Sequence, residues 1–250
     1  KIWETRTGKL VKTIDAHADR ITSVAFSPDG KYLLTTGHDQ HAKVWDVQSG
    51  ELYYDIFYNS NNWIEKGFIT GDGKNVLLIS DDAMEYYDLI GKKLVWGLMD
   101  TSSYRVYNDG VKWRHRFHAY DMSLNGAYAI TANTDSSINV WDLKKQGPPM
   151  KIREADAEFF GCDLSSGGDR LLSFASDYRI RVHETRTGKT ILSLDTEQRL
   201  PLFASFSPND KKIITVTCDS ITRQCRLEYW DAGNGKREQT FDTPPGVITL

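Results

Sequence analysis

Cysteine is scarce. The 250 residues contain three, too few for a disulfide scaffold, and they read as reduced thiols of a cytosolic protein. Long apolar runs are lacking too. No stretch approaches the roughly 20 residues needed to cross a bilayer, and no charged, apolar, small-residue leader opens the chain. There is no excess of basic charge: the net charge is −3 and the pI about 6.1. No global field would therefore hold nucleic acid or an anionic membrane. The chain has no phosphate-cradling glycine loop, no paired-carboxylate motif and no Gly-x-Ser-x-Gly elbow. His38, His41, His115, His118 and His183 lack the close ligand spacing of a zinc site, and Asp72, Asp81 and Asp82 are too dispersed for a calcium loop. No metal and no cofactor is expected.

Aromatic residues are abundant. They make up 12% of the chain, with seven Trp and twelve Tyr, a composition that favours strands over helices. Helical periodicity is absent throughout, and an all-β domain of this length is routinely single.

An aromatic or imidazole residue followed by an acid recurs as Trp3-Glu4, Trp45-Asp46, Tyr87-Asp88, Trp141-Asp142, His183-Glu184 and Trp230-Asp231. The intervals are 42, 42, 54, 42 and 47 residues, the mark of one supersecondary unit repeated along the chain. Residues 17–56 show it most clearly. His17 opens a loop; Ile21, Val24 and Phe26 mark a short strand; Ser27-Pro28-Asp29-Gly30 is a turn with Pro at its second position and Gly at its last. Tyr32 to Thr36 suits burial on both faces. Gly37 to Gln40 turns the chain, Ala42 to Trp45 alternates, Ser49-Gly50 turns, and Leu52 to Ile56 alternates again. Four antiparallel strands per roughly 40 residues describe one blade of a β-propeller.

The other copies keep the frame. The second turn returns as Thr70-Gly71-Asp72-Gly73, Ser123-Leu124-Asn125-Gly126, Ser165-Ser166-Gly167-Gly168 and Ser207-Pro208-Asn209-Asp210. An Asp precedes the aromatic by six residues at Asp39, Asp81, Asp135 and Asp177, and is displaced to Asp219 in the last full copy by extra hairpin residues. The string Glu4-Thr5-Arg6-Thr7-Gly8-Lys9 reappears as Glu184-Thr185-Arg186-Thr187-Gly188-Lys189, which points to duplication.

On these residues the chain resembles the WD-repeat (WD40) family along nearly its whole length. The resemblance implies an all-β propeller. It also implies a hydrogen-bonded network of loop His, strand Ser/Thr, turn Asp and strand Trp inside a blade, here His17, Thr35 or Thr36, Asp39 and Trp45. Positions matching His17 hold Ser60, Trp113, Ala155 and Glu197, so no more than one full network is expected. Blade units fall at roughly 1–16, 17–58, 59–99, 100–154, 155–196, 197–243 and 244–250 of a single domain: five complete and two partial. The expected whole is a longer, seven-bladed ring, with six blades as the second choice.

Every Trp-Asp pair has a packing explanation, since the ring buries area and its N–H needs one partner. Cys218 and Cys225 flank a hairpin symmetrically and could face each other, as a disulfide or as two ordinary buried thiols; Cys162 aligns with the strand position of Val24, which argues for packing. The largest departure from the repeat is Asp100 to Arg116, read as a loop that interleaves Tyr104, Arg105, Tyr107, Trp113, Arg114, His115 and Arg116, the composition of protein-interaction hot spots. By the family resemblance this loop lies on the channel-mouth face, where Arg20, Asn62, Trp63, Glu158, Phe159 and Arg199 would join it. The competing reading has Tyr104, Tyr107 and Trp113 fold back to plug the channel or cover an edge.

The function expected is a non-enzymatic scaffold or ligand-sensing module of the cytoplasm. Its partners would be other proteins or other domains of the parent chain, not nucleic acid. The alternative is an extracytoplasmic propeller that is an enzyme or holds a cofactor.

Overall fold

The structure, a computed structural model, describes residues 1–58, 63–80, 83–99, 104–106, 112–114, 117–133, 135–145, 147–154 and 157–243. For 98–99, 104–106, 112–114 and 117–118 it describes the backbone alone. Every regular element among these residues is a β-strand.

A short ladder of β1 (Ile2–Trp3) and β2 (Leu10–Lys12) comes first. Two four-stranded antiparallel sheets follow in simple chain order. One holds β3 (Ile21–Phe26), β4 (Tyr32–Gly37), β5 (His41–Asp46) and β6 (Leu52–Phe57). The other holds β7 (Lys66–Ile69), β8 (Asn75–Ile79), β9 (Ala83–Asp88) and β10 (Lys93–Met99). Next is a hairpin of β11 (Tyr104–Val106) and β12 (Lys112–Arg114). Three more four-stranded sheets complete the series: β13 (Phe117–Met122), β14 (Tyr128–Asn133), β15 (Ser137–Asp142) and β16 (Met150–Arg153); β17 (Phe159–Leu164), β18 (Arg170–Ala175), β19 (Arg179–Glu184) and β20 (Thr190–Asp195); β21 (Leu200–Phe206), β22 (Lys212–Cys218), β23 (Cys225–Asp231) and β24 (Arg237–Asp242). The all-β class and the repeated four-stranded sheets are those of a WD-repeat β-propeller. The chain divides into two compact units, Lys1–Arg114 and His115–Leu250.

Burial follows strand order. Second strands β4, β14 and β18 are buried at every residue but the first, as their unbroken apolar and β-branched composition requires. Fourth strands β20 and β24 are mostly exposed. Cores form between consecutive sheets. In the first unit Leu34, Val44 and Ile56 pack on Ile64, Val76 and Leu78. In the second, Ile130, Ile138 and Val140 meet Phe159 and Leu171, and Leu172, Ile180 and Val182 meet Phe206, Ile213 and Trp230.

The dipeptide that marks each repeat has two separate jobs. The Trp ring is buried and donates inward: Trp45 Nε1 to Thr35 Oγ1 at 3.0 Å, Trp141 Nε1 to Thr131 Oγ1 at 3.3 Å and Trp230 Nε1 to Thr215 Oγ1 at 2.9 Å. The following Asp stays at the rim and ties the next turn, as when Asp46 Oδ1 accepts from Ser49 N at 2.8 Å. Asp231 Oδ1 accepts from Gly233 N and Asn234 N, both at 2.9 Å. The earlier turn is held alike in each copy. Ser27 Oγ donates to Asp29 at 2.6 Å and accepts from Tyr32 N at 2.8 Å, while Gly30 takes φ +71°, open to glycine without strain. The duplicated string folds the same way twice: Thr7 donates to Glu4 and Thr187 to Glu184.

Three expectations change. Residues 100–116 are not wholly loop, because β11 and β12 pair with Arg105 opposite Trp113. Cys218 and Cys225, read as reduced thiols, are joined in a disulfide. They are directly opposed in the β22–β23 ladder, which brings their Cβ atoms within bonding reach. Val24 is 55% exposed, whereas Cys162 packs against the core, so the aligned positions do not share an environment. Burial, with the nearby carboxyls of Asp121 and Asp163, pushes the Cys162 thiol up, leaving it inert as a nucleophile.

Candidate functional site

In a four-stranded meander, the segment entering the first strand and the turn between the second and third lie at one end. The β3–β6 sheet shows this in its backbone: His38 N donates to Arg20 O at 2.9 Å, and Tyr58 N to Gln40 O at 2.8 Å. The hydrogen-bonded tetrad lies just beneath. His17 Nδ1 bonds Asp39 Oδ1 at 2.8 Å, and His17 Nε2 bonds Thr35 Oγ1 at 2.8 Å. Thr35 therefore serves both His17 and Trp45. Thr36 turns elsewhere and bonds Thr22 Oγ1 at 2.8 Å. Burial opposes ionisation of Asp39, but bonds from His17, Ala18 N and His41 N outweigh it and hold the carboxyl below the usual range.

Above this tetrad is an aromatic surface. The Trp63 ring, 41% exposed, stacks on His38 with centroids 4.6 Å apart and planes 20° apart. Trp63 Nε1 donates to Glu65 Oε1 at 2.7 Å, which fixes the indole with one face buried on imidazole and the remainder open. Arg20 is exposed beside His38, and Ile21, 46% exposed, adds an aliphatic edge. An anchored aromatic with a neighbouring guanidinium can grip a partner with little loss of side-chain freedom. His38 escaped attention in the sequence because it looked like one of several scattered histidines; its place beside the tetrad residue Asp39 was the available signal.

Other candidate positions are distributed differently. Phe159 is 1% exposed in a core cluster; its neighbour Phe160, on the opposite face of β17 by strand alternation, is the exposed one at 39%. Arg199 is 7% exposed and donates to Gln224 O across the longer β22–β23 turn, so it is an internal anchor. Glu158 is exposed, its N–H donating to Ser176 Oγ at 2.9 Å. Tyr104 and Arg105 lie on β11, and Trp113 and Arg114 on β12. Asn62, Tyr107, His115 and Arg116 lie outside the described residues, as do Asp81 and Asp82.

In two copies that lack the loop His, the turn acid finds arginine instead. Asp135 pairs with Arg153 at 3.2 Å, and Asp177 pairs with Arg181. His183, in the aromatic position of its sheet, bonds Ser173 Oγ at 2.8 Å. Burial and the Arg181 charge depress its pKa to about 4, so the ring is a neutral packing element. No group of three metal-ligating side chains occurs among the described residues. Among the same residues no helix is long and apolar enough to cross a membrane.

Comparison with known proteins agrees with this construction. The family model "WD domain, G-beta repeat" matches residues 8–46. The chain is 24% identical over 243 residues to Periodic tryptophan protein 2 of Arabidopsis thaliana, covering 96% of this chain and 25% of that protein. It is 25% identical over 209 residues to Autophagy-related protein 16 of the same plant, covering 83% and 38%. To Nuclear distribution protein PAC1 of Arthroderma benhamiae it is 27% identical over 177 residues, covering 65% and 38%. The chain spans between a quarter and two fifths of the length of these relatives. The repeated Trp-Asp units, the four-stranded sheets they build and these similarities support a WD-repeat family.

Proposed function

We propose that this chain is a non-catalytic, cytoplasmic protein-interaction module that binds partners through the sheet ends carrying Arg20, His38 and Trp63. The observation that supports it best is the exposed Trp63 ring held by His38 and Glu65. A half-exposed Trp held in one orientation offers a large apolar surface at little cost in side-chain freedom, as the aromatic anchors of interaction hot spots do. Similarity to WD-repeat proteins and a net charge of −3 fit a protein partner rather than a nucleic acid. On this reading Tyr104 and Arg105 of β11 and Trp113 and Arg114 of β12 add to the binding residues.

The test is affinity capture from the source cells with the wild-type protein and with a Trp63→Ala/Arg20→Glu variant, using Lys211→Glu as a surface control. Loss of the same specific partners from the double variant alone, at equal folding, supports the proposal. Equal recovery by all three proteins refutes it.

A further inference from the structure

The turn between β22 and β23 is unlike the corresponding turns of the other sheets. The Trp-to-Thr bond that spans it joins residues 15 apart in sequence, against 10 for the Trp45 and Trp141 bonds. The additional residues lie in 219–224, and Cys218 and Cys225 close the base as an opposed, disulfide-bonded pair with Cα atoms 4.0 Å apart.

Above the disulfide, the turn is organised only by polar contacts. Asp219 Oδ1 accepts from Ile221 N at 2.9 Å and Thr222 N at 2.7 Å, and Asp219 N donates to Gln224 O at 3.0 Å. Arg199 reaches the same Gln224 carbonyl while its buried Nε has no partner. The tip carries Ile221 at 91% exposure, so no apolar packing holds it. Water competes for the exposed bonds made by Asp219 Oδ1, and each is weak by itself; the buried Arg199 holds only the Gln224 end of the turn. The covalent closure at the base is the one strong local constraint.

We propose that Cys218–Cys225 is a reducible clasp: closed, it holds the 219–224 turn as an ordered projection tipped by Ile221, and open, it releases that turn without unfolding the sheet. The reductant is a dithiol. Its thiolate attacks one sulfur to form a mixed disulfide, and its second thiol displaces the cysteine. The reductant leaves as its own disulfide, and Cys218 and Cys225 each gain an electron and a proton. Both sulfurs belong to buried residues, 8% and 4% exposed, so exchange waits on opening of the turn. After reduction the ladder from Lys212–Asp231 to Thr217–Arg226 retains its backbone pairing, which confines the change to the turn. A cytosolic setting, where dithiols are plentiful, would make the bond conditional rather than permanent. The clasp concerns the order of one turn and stands apart from the Trp63 surface, so either idea can fail alone.

The test combines alkylation with iodoacetamide under denaturing conditions and hydrogen exchange of the native protein, each with and without dithiothreitol. One alkylated cysteine before reduction and three after are expected, since only Cys162 is free. Reduction should speed exchange at the Ile221 and Thr222 amides by at least about tenfold, leaving β13–β21 unchanged. The C218S/C225S protein should exchange at the fast rate in either condition. Three alkylations without reductant, or unchanged exchange at the tip, overturn the proposal. So does acceleration throughout the second unit, which would make the bond a general staple.

Discussion

Asp121 on β13 and Asp163 on β17 repeat one contact in consecutive sheets, each carboxylate accepting a backbone N–H from the next sheet: Leu164 N at 2.8 Å and Phe206 N at 2.7 Å. Two carboxyls thus staple three consecutive sheets of the second unit. Burial, and then the neighbouring Asp163 charge, push Asp121 up to about 7. The folded state therefore holds a proton that the unfolded chain releases near pH 4. This stabilisation is fully present below pH 4 and fades as pH rises through about 7, by at most about 4 kcal/mol. The stability difference between wild type and Asp121→Asn, followed by denaturant unfolding from pH 5 to 8.5, should shift against the wild type as pH rises. A constant difference would mean that Asp121 is already ionised across this range.

His183 drives the opposite slope. Its pKa is depressed to about 4 from 6.5 by burial and Arg181, so its contribution is whole above pH 6.5 and is lost as pH falls toward 4. The size is about 3 kcal/mol. Replacing it with the residue found at the matching positions, His183→Trp, should remove that acid sensitivity while keeping a donor for Ser173. Unfolding midpoints at pH 5 and 7 then converge in the variant and stay apart in the wild type.

Thr35→Ala strips the hydroxyl shared by His17 Nε2 and Trp45 Nε1 at a site 4% exposed. Two stranded polar groups imply a loss of about 2–4 kcal/mol, seen as a lower urea midpoint. Thr35→Ser, which keeps the hydroxyl, should recover most of it.

The triple charge reversal Arg105→Glu, Arg114→Glu and Arg116→Glu should weaken capture of partners and leave the unfolding midpoint within about 0.5 kcal/mol, as surface changes do. A large drop in the midpoint would assign the segment to structure instead.

Much of this architecture could be read from residue order alone. The 42-residue beat, the Ser-Pro-Asp-Gly turn and the solid apolar run of β4 each depend on contacts a few residues apart, and local chemistry dictates them. The tetrad was readable because His17, Thr35, Asp39 and Trp45 fall at spacings set by one sheet. The candidate surface was only partly readable. Phe159 and Phe160 are adjacent, identical residues, and strand alternation sends one to the core and the other outward; which is which depends on the neighbouring sheet. Arg199 looked like a rim cation until the longer turn laid a carbonyl over it.

The sequence by itself determined the strands, their turns and the WD-repeat resemblance, because period, turn residues and buried aromatics are short-range properties. Tertiary structure decided the rest: the Trp63–His38 stack, the Asp121–Asp163 staple and the Cys218–Cys225 bond. Each joins groups whose meeting depends on how strands register and sheets pack, and burial between them, rather than residue type, sets their charge and exposure.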